Sequence, residues 1–141
     1  MQLVICGLGG QGILFLMRVI AEAAILEGSD VITAETHGMA QRGGAVDAHV
    51  KIGGYEGSLV RRGRADAVLA IDASRAGHAR SFMREGGRFY MSAPNMLLLG
   101  SASAAERAPF PSQDALLRVI EALSPPAARE QNRETFLKEV R

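Results

Sequence analysis

The residues best suited to chemistry come early in the chain. Gly7, Gly9 and Gly12 have the spacing G-x-G-x-x-G, and Gly10 and Gln11 fill the run Cys6-Gly7-Leu8-Gly9-Gly10-Gln11-Gly12. Apolar Leu3-Val4-Ile5 precedes this run, and a long apolar segment from Ile13 to Leu26 follows it. A strand, a glycine-rich turn and a helix in that order make a phosphate-binding device. Glycine permits positive φ and close backbone approach, while a helix N-terminus presents unpaired N–H groups and a partial positive charge. The Gln11 carboxamide would add a donor at the helix mouth. The same spacing also arises in a ligand-free strand-to-helix turn, so the loop by itself leaves both readings open.

A second segment bears on the choice: Thr36-His37-Gly38-Met39-Ala40-Gln41-Arg42-Gly43-Gly44-Ala45-Val46. Arg42 is its best candidate for an anion contact, because a guanidinium grips phosphate or carboxylate with two parallel donors. The alternative is a staple for the loop or for a subunit interface. His37 reads as a loop or interface residue rather than a general base. The candidate binding set is therefore Gly7, Gly9, Gly10, Gln11, Gly12, Thr36, Arg42, Gly43 and Gly44.

Together the two segments resemble the gamma-subunit family of the 2-oxoacid:ferredoxin (acceptor) oxidoreductases. That family includes the small subunit of indolepyruvate oxidoreductase and the gamma domain of pyruvate:ferredoxin oxidoreductase. Its marks are G-x-G-G-Q-G near the N-terminus and T-x-G-x-x-Q-R-G-G after the second strand, both present here. Ala65 to Asp72, Gly86-Gly87, Asn95-Met96, Leu99-Gly100, Asn132 and Phe136 extend the match over most of the chain. The chain departs from the pattern between Gly86-Gly87 and Asn95, where relatives carry a further strand and helix. A carboxylate often found just after Asp72 is also replaced, by Ala73-Ser74-Arg75-Ala76. A sheet one strand narrower is the expectation.

Composition sets limits on the rest. A chain of 141 residues suits one domain. A net charge of +1 gives no reason to expect nucleic acid as a partner. Arg18 and Glu22 break the longest apolar stretch, which argues against a membrane span. With no leader pattern ahead of the first strand, the cytoplasm is the default location. Cys6 is the sole cysteine, so the chain alone can hold neither a disulfide nor a four-cysteine iron–sulfur cluster. It reads as a small core residue rather than a nucleophile, and His37, His49 and His78 fit no metal spacing.

These residues need elements to hold them. The pattern predicts strand 2–6, helix 12–27 stopped by Gly28, and strand 30–35. The helix has almost no polar face, so something beyond a sheet should cover it, a partner subunit being one possibility. Residues 45–53 alternate Val46, Ala48, Val50 and Ile52 with Asp47, His49 and Lys51. That period predicts an antiparallel or edge strand with one wet face, and residues 55–60 could pair back onto it. Arg61, Arg62 and Arg64 form a basic turn, either solvated or facing an acidic partner or phosphates. A buried strand is expected at 67–71, a helix capped by Ser74 to about residue 85, and a strand at 88–91. An Ala/Ser-rich link then leads to helices at 112–123 and 127–140. Alternating strands and helices give an α/β class: a Rossmann-like three-layer sandwich, its sheet mostly parallel with one or more antiparallel strands.

The resemblance implies a gamma subunit of an enzyme that oxidatively decarboxylates a 2-oxoacid to acyl-coenzyme A and reduces ferredoxin. Thiamine diphosphate, Mg²⁺ and iron–sulfur clusters would then sit on partner subunits, alpha and beta or alpha, beta and delta, leaving coenzyme A as the candidate for the glycine loop. The absence of any catalytic constellation in one motif agrees with that division. The alternative is an NAD-binding or ligand-sensing Rossmann module, with Glu35 where a ribose-binding carboxylate belongs. A ligand-free scaffold is the third reading.

Overall fold

A computed structural model describes residues 1–38 and 44–140. Five strands, β1 (Gln2–Leu8), β2 (Val31–His37), β3 (Ala45–Ile52), β4 (Ala65–Ala70) and β5 (Met83–Met91), form one sheet in the order β2-β3-β1-β4-β5. The β1–β4 and β4–β5 pairs are parallel, and β3 runs antiparallel to both of its neighbours. Four strands therefore point one way and β3 opposes them, the α/β sandwich with one reversed strand that the periodicity predicts.

Helix α1 (Ile13–Leu26) follows the glycine loop and ends where Gly28 adopts φ +91°. Its inner face buries Leu16, Val19, Ile20 and Ala23 against Leu3, Ile5, Val50 and Ile52 of the sheet. Part of its other flank is covered from within the chain by helix α4 (Gln113–Leu123), whose Ser112 cap accepts from the Ala115 amide. Leu14, Ile25 and Leu26 stay exposed. Helix α3 (Asn95–Ala105) occupies what reads in the sequence as an Ala/Ser-rich link. Alanine is the best helix former, and the small side chains let α5 (Arg129–Val140) come close. A Cβ on Gly100 would stand 2.5 Å from the Phe136 carbonyl, and Phe136 itself is fully buried.

The second face of the sheet departs most from expectation. The alternation in β3 is correct, since Val46, Ala48, Val50 and Ile52 join the helix-side core. Asp47, His49 and Lys51 nevertheless do not form a wet face; each is buried. The connection from Gly53 to Arg64 folds over them without forming a strand, so residues 55–60 do not pair back. Val60 donates its amide to His49 Nδ1 at 3.0 Å, and the Phe82 ring meets His49 edge-on at 5.6 Å. Nor does β3 sit at an edge: it lies between β2 and β1.

The helix expected from Ser74 is also shorter. Asp72, not Ser74, is the cap, accepting from the Ser74 amide at the start of a 3₁₀ turn (Ala73–Arg75). A short helix α2 (Ala76–Arg80) follows, and β5 then begins at Met83. Gly86-Gly87 falls within β5, near a shift of register against β4.

Candidate functional site

The C-terminal ends of β1, β2 and β4 bring the glycine loop, the β2–β3 connection and Asp72 to one edge of the sheet. In open α/β sheets ligands lie at this edge, where strand order reverses. Each glycine there has its own reason. A Cβ on Gly7 would come 2.5 Å from Ile13 Cδ1, so Gly7 serves packing. Gly12 has φ +81°, and a Cβ there would collide with the Asn95 side chain, whose amide donates to the Gly12 carbonyl at 3.2 Å. Gly10, at φ +87°, has open space where its side chain would be. Among the described residues of the loop, only Gly10 combines a positive φ with an unobstructed approach.

Gln11 is committed within the chain. Its Oε1 accepts from the Leu8 amide and its Nε2 donates to Asp72 Oδ2, both at 2.7 Å. The side chain thus straps the loop to the end of β4 as well as to its own strand. Asp72 also accepts from the Ser74 hydroxyl at 2.6 Å, and that bond together with the one from Gln11 holds its carboxyl below the usual range. A third tie runs from the Gly9 amide to the Gly44 carbonyl at 2.8 Å, setting the two glycine motifs side by side.

Helix α1 has no side-chain cap, and its first turn carries no acidic residue. Its N-terminal amides and dipole are therefore available to an anion. Beside them lies a groove of about 420 Å³ whose walls include Leu8, Gly10, Gly12, Leu14, Phe15 and His37. Amides at one end and apolar walls along the side suit a phosphate carried on an organic body. His37 shares a sheet face with its partner Val46, toward α1, whereas Thr36 pairs with Asp47 and faces the other side. His37 thus lines the groove and Thr36 does not. Gly44 stands next to Gly9, while Gln41, Arg42 and Gly43 lie outside the described residues.

The insertion of β3 bears on the dinucleotide alternative. A ribose-binding carboxylate requires the second strand beside the first, but here Glu35 is on β2, separated from β1 by β3. Two strand spacings put it roughly 10 Å from the β1 line. It lies 3.3 Å from the exposed His37 ring instead.

On the reverse face lies a cluster that the sequence reading missed. Asp47 Oδ1 accepts from Arg75 at 2.8 Å, its Oδ2 lies 2.6 Å from His78 Nε2, and the Cys6 thiol bonds the same carboxylate. Burial pushes the Asp47 carboxyl upward, but the His78 and Cys6 bonds and the neighbouring positive charges outweigh it and hold it low. Burial first, then the adjacent carboxylate, drives the Cys6 thiol far up, so it stays protonated and inert. Cys6, Asp47 and His78 are close enough to share a cation. Yet both Asp47 oxygens are engaged and a guanidinium is already present, so the group fits a neutralised ion cluster better than a metal site. Two signals pointed to it: the i, i+3 spacing of Arg75 and His78, and an acidic residue on the sheet face behind the glycine loop.

Among the described residues, no helix is long and apolar enough to cross a membrane. Comparison with known proteins adds the relationships. Over 125 residues the chain is 34% identical to indolepyruvate oxidoreductase subunit IorB of Archaeoglobus fulgidus, covering 89% of this chain and 61% of that protein. Identity to the subunit of the same name in Methanothermobacter thermautotrophicus is 36%, covering 83% and 59%. The chain thus spans about three-fifths of the length of these curated relatives. Its fold superposes on pyruvate oxidoreductase subunit PORC of Thermotoga maritima with a TM-score of 0.82 at 18% identity, covering 99% of this chain and 94% of that one. A 2-oxoglutarate:ferredoxin oxidoreductase of Magnetococcus marinus, solved with 2-oxoglutarate, coenzyme A and succinyl-CoA bound, matches with a TM-score of 0.80 at 19% identity, over 99% of this chain and 30% of that one. The sequence profile of one family matches residues 2–138, and on that match, with the glycine motifs in place, the chain belongs to the pyruvate ferredoxin/flavodoxin oxidoreductase family.

Proposed function

We propose that this chain is one gamma-type domain, the small subunit of a cytoplasmic 2-oxoacid:ferredoxin oxidoreductase. It would work with alpha and beta subunits, or with alpha, beta and delta, and with ferredoxin as electron acceptor. The reaction is oxidative decarboxylation of a 2-oxoacid to an acyl-coenzyme A. Thiamine diphosphate, Mg²⁺ and iron–sulfur clusters, which supply the carbanion and electron-transfer chemistry when bound, belong to the partner subunits. This chain's single buried cysteine does not fit a cluster.

The observation that carries the reading is the open turn at Gly10. Positive φ, open space above the backbone and an uncapped helix N-terminus coincide there, next to an apolar groove. In this role Gly9, Gly10 and Gly12 present backbone donors to a phosphate of coenzyme A. Gln11, Asp72 and Asn95 hold the loop in shape, and Arg42, Gly43 and Gly44 complete the candidate binding set, Arg42 as the bidentate anion contact. The buried antiparallel β3 beside β1 weighs against the dinucleotide alternative.

The purified chain is expected to oxidise no 2-oxoacid and to show no iron–sulfur absorbance, and to support turnover only when its partner subunits are added. Dye reduction with pyruvate, 2-oxoglutarate or indolepyruvate by the chain alone would overturn the proposal. Arg42→Lys keeps the charge but loses the planar fork. In the assembled enzyme it should weaken a bidentate phosphate contact by about 1–3 kcal/mol, seen as a raised KM for coenzyme A. Loss of subunits with unchanged kinetics in the remaining complex would assign Arg42 to the interface instead.

A further inference from the structure

The basic turn noted in the sequence stands beside a recess at the opposite end of the sheet from the glycine loop. The recess has a volume of about 660 Å³, and its lining includes Gln2, Lys51, Glu56, Leu59, Arg61 and Arg64. Lys51 forms the floor and is only 6% exposed. An ammonium carries three donors, and burying a cation is costly unless it is paired. Here its one hydrogen bond among the described residues is to the Glu56 carbonyl, at 3.5 Å. The Tyr55 ring, 5.9 Å away, adds a weak cation–π contact. Among the described residues no carboxylate forms an ion pair with Lys51, Arg61 or Arg64.

The nearby groups that could have neutralised these charges are engaged elsewhere. Asp66 accepts from Arg84 and from the Gln2 amide, each at 2.7 Å. Arg62 is turned away, bonding the Ser81 hydroxyl and lying over the Phe82 ring. Three cations and one carboxylate, Glu56, therefore border one concavity, whose size is that of a small-molecule site, about 300–1,000 Å³. Lysine supplies a point charge at depth, and the two guanidinium forks supply paired donors at the mouth. We infer that this recess binds a multivalent oxyanion, a phosphoryl or polycarboxylate small molecule, with Lys51 at its floor and Arg61 and Arg64 at its rim.

The test is calorimetric titration of the full chain with inorganic pyrophosphate and, separately, with citrate. Saturable binding that weakens as KCl is added is expected. Lys51→Met and the double variant Arg61→Gln/Arg64→Gln should each weaken it at least about tenfold, the loss of one charge-assisted hydrogen bond. Tighter pyrophosphate binding identifies a phosphoryl ligand, and tighter citrate binding a polycarboxylate. Gly10→Asp, at the other end of the sheet, should leave unchanged the component of binding that the arginine variant loses. Circular dichroism checks the folding of Lys51→Met; should it unfold, the exposed arginine pair decides alone. The inference fails if neither probe saturates, if the arginine variant binds like the wild type, or if only Gly10→Asp weakens binding.

Discussion

Asp47→Ala is expected to lower the folding stability by about 3–5 kcal/mol, because removing one partner of a buried ion pair strands the other. Here two groups are stranded. Arg75 loses its carboxylate and His78 loses the oxygen 2.6 Å from its Nε2, beneath a face closed by Val60 and Phe82. Against the roughly 5–15 kcal/mol that holds a domain folded, such a loss shows as a large drop in the urea midpoint at neutral pH. Asp47→Asn, which keeps an acceptor and the shape, should fall between the two. A midpoint shift worth less than about 1 kcal/mol for Asp47→Ala would mean that the cluster is solvated.

The same carboxylate shapes the acid limb. Its folded-state pKa is depressed, so its contribution is complete above the unfolded value near 3.9 and is lost as pH falls from there through the folded value. Asp66 acts in the same direction. His49 enters earlier. Burial lowers the pKa of its ring, so its contribution declines as pH drops below about 6.5. Wild-type stability should thus fall in two stages on acidification, and Asp47→Ala should blunt the second.

The second large effect separates two glycines in one loop. Gly12→Ala adds a methyl group that collides with Asn95 at a residue whose φ is +81°, so both packing and backbone oppose it. The left-handed conformation alone costs about 1–2 kcal/mol, and the collision adds to it by displacing the amide that braces the helix start. Gly10→Asp pays a similar backbone penalty but meets nothing within 4 Å. It should fold and assemble, yet its charge stands at an anion-seeking helix N-terminus. Turnover at limiting coenzyme A should therefore fall about tenfold or more in Gly10→Asp, with a melting temperature lowered by only the several degrees that the backbone penalty accounts for. Gly12→Ala should show the reverse order of damage. Equal turnover in Gly10→Asp and wild type would remove the loop from ligand binding.

The parts that could be read directly from the sequence were those specified by local chemistry. Glycine spacing, the stop at Gly28, a helix beginning near residue 112 and the alternation in β3 each leave a mark within a few residues. The hidden parts depend on residues distant in sequence. Asp47, His49 and Lys51 look like a wet face because charged residues usually are, and only the fold-over of residues 53–64 and α2 makes them interior. The role of Gln11 was hidden in the same way, since its partner Asp72 is 61 positions away. Residues 100–105 read as a link because serines dilute the apolar pattern, although alanine keeps a helix favourable once α5 packs on it.

The position of β1 has a consequence for how the chain is made. It precedes the other strands in chain order yet occupies the centre of the sheet, between β3 and β4. During synthesis Leu3, Val4 and Ile5 therefore leave the ribosome with both strand edges unpaired. The β2–β3 hairpin can form locally and cover one edge, but the other stays open until β4 emerges. Translation at about 5–20 residues per second leaves that edge unprotected for seconds, long enough for a second nascent chain to pair with it. A pause before residue 70 prolongs the interval, so the rate of synthesis, as much as native stability, bears on how much of this protein reaches its native fold.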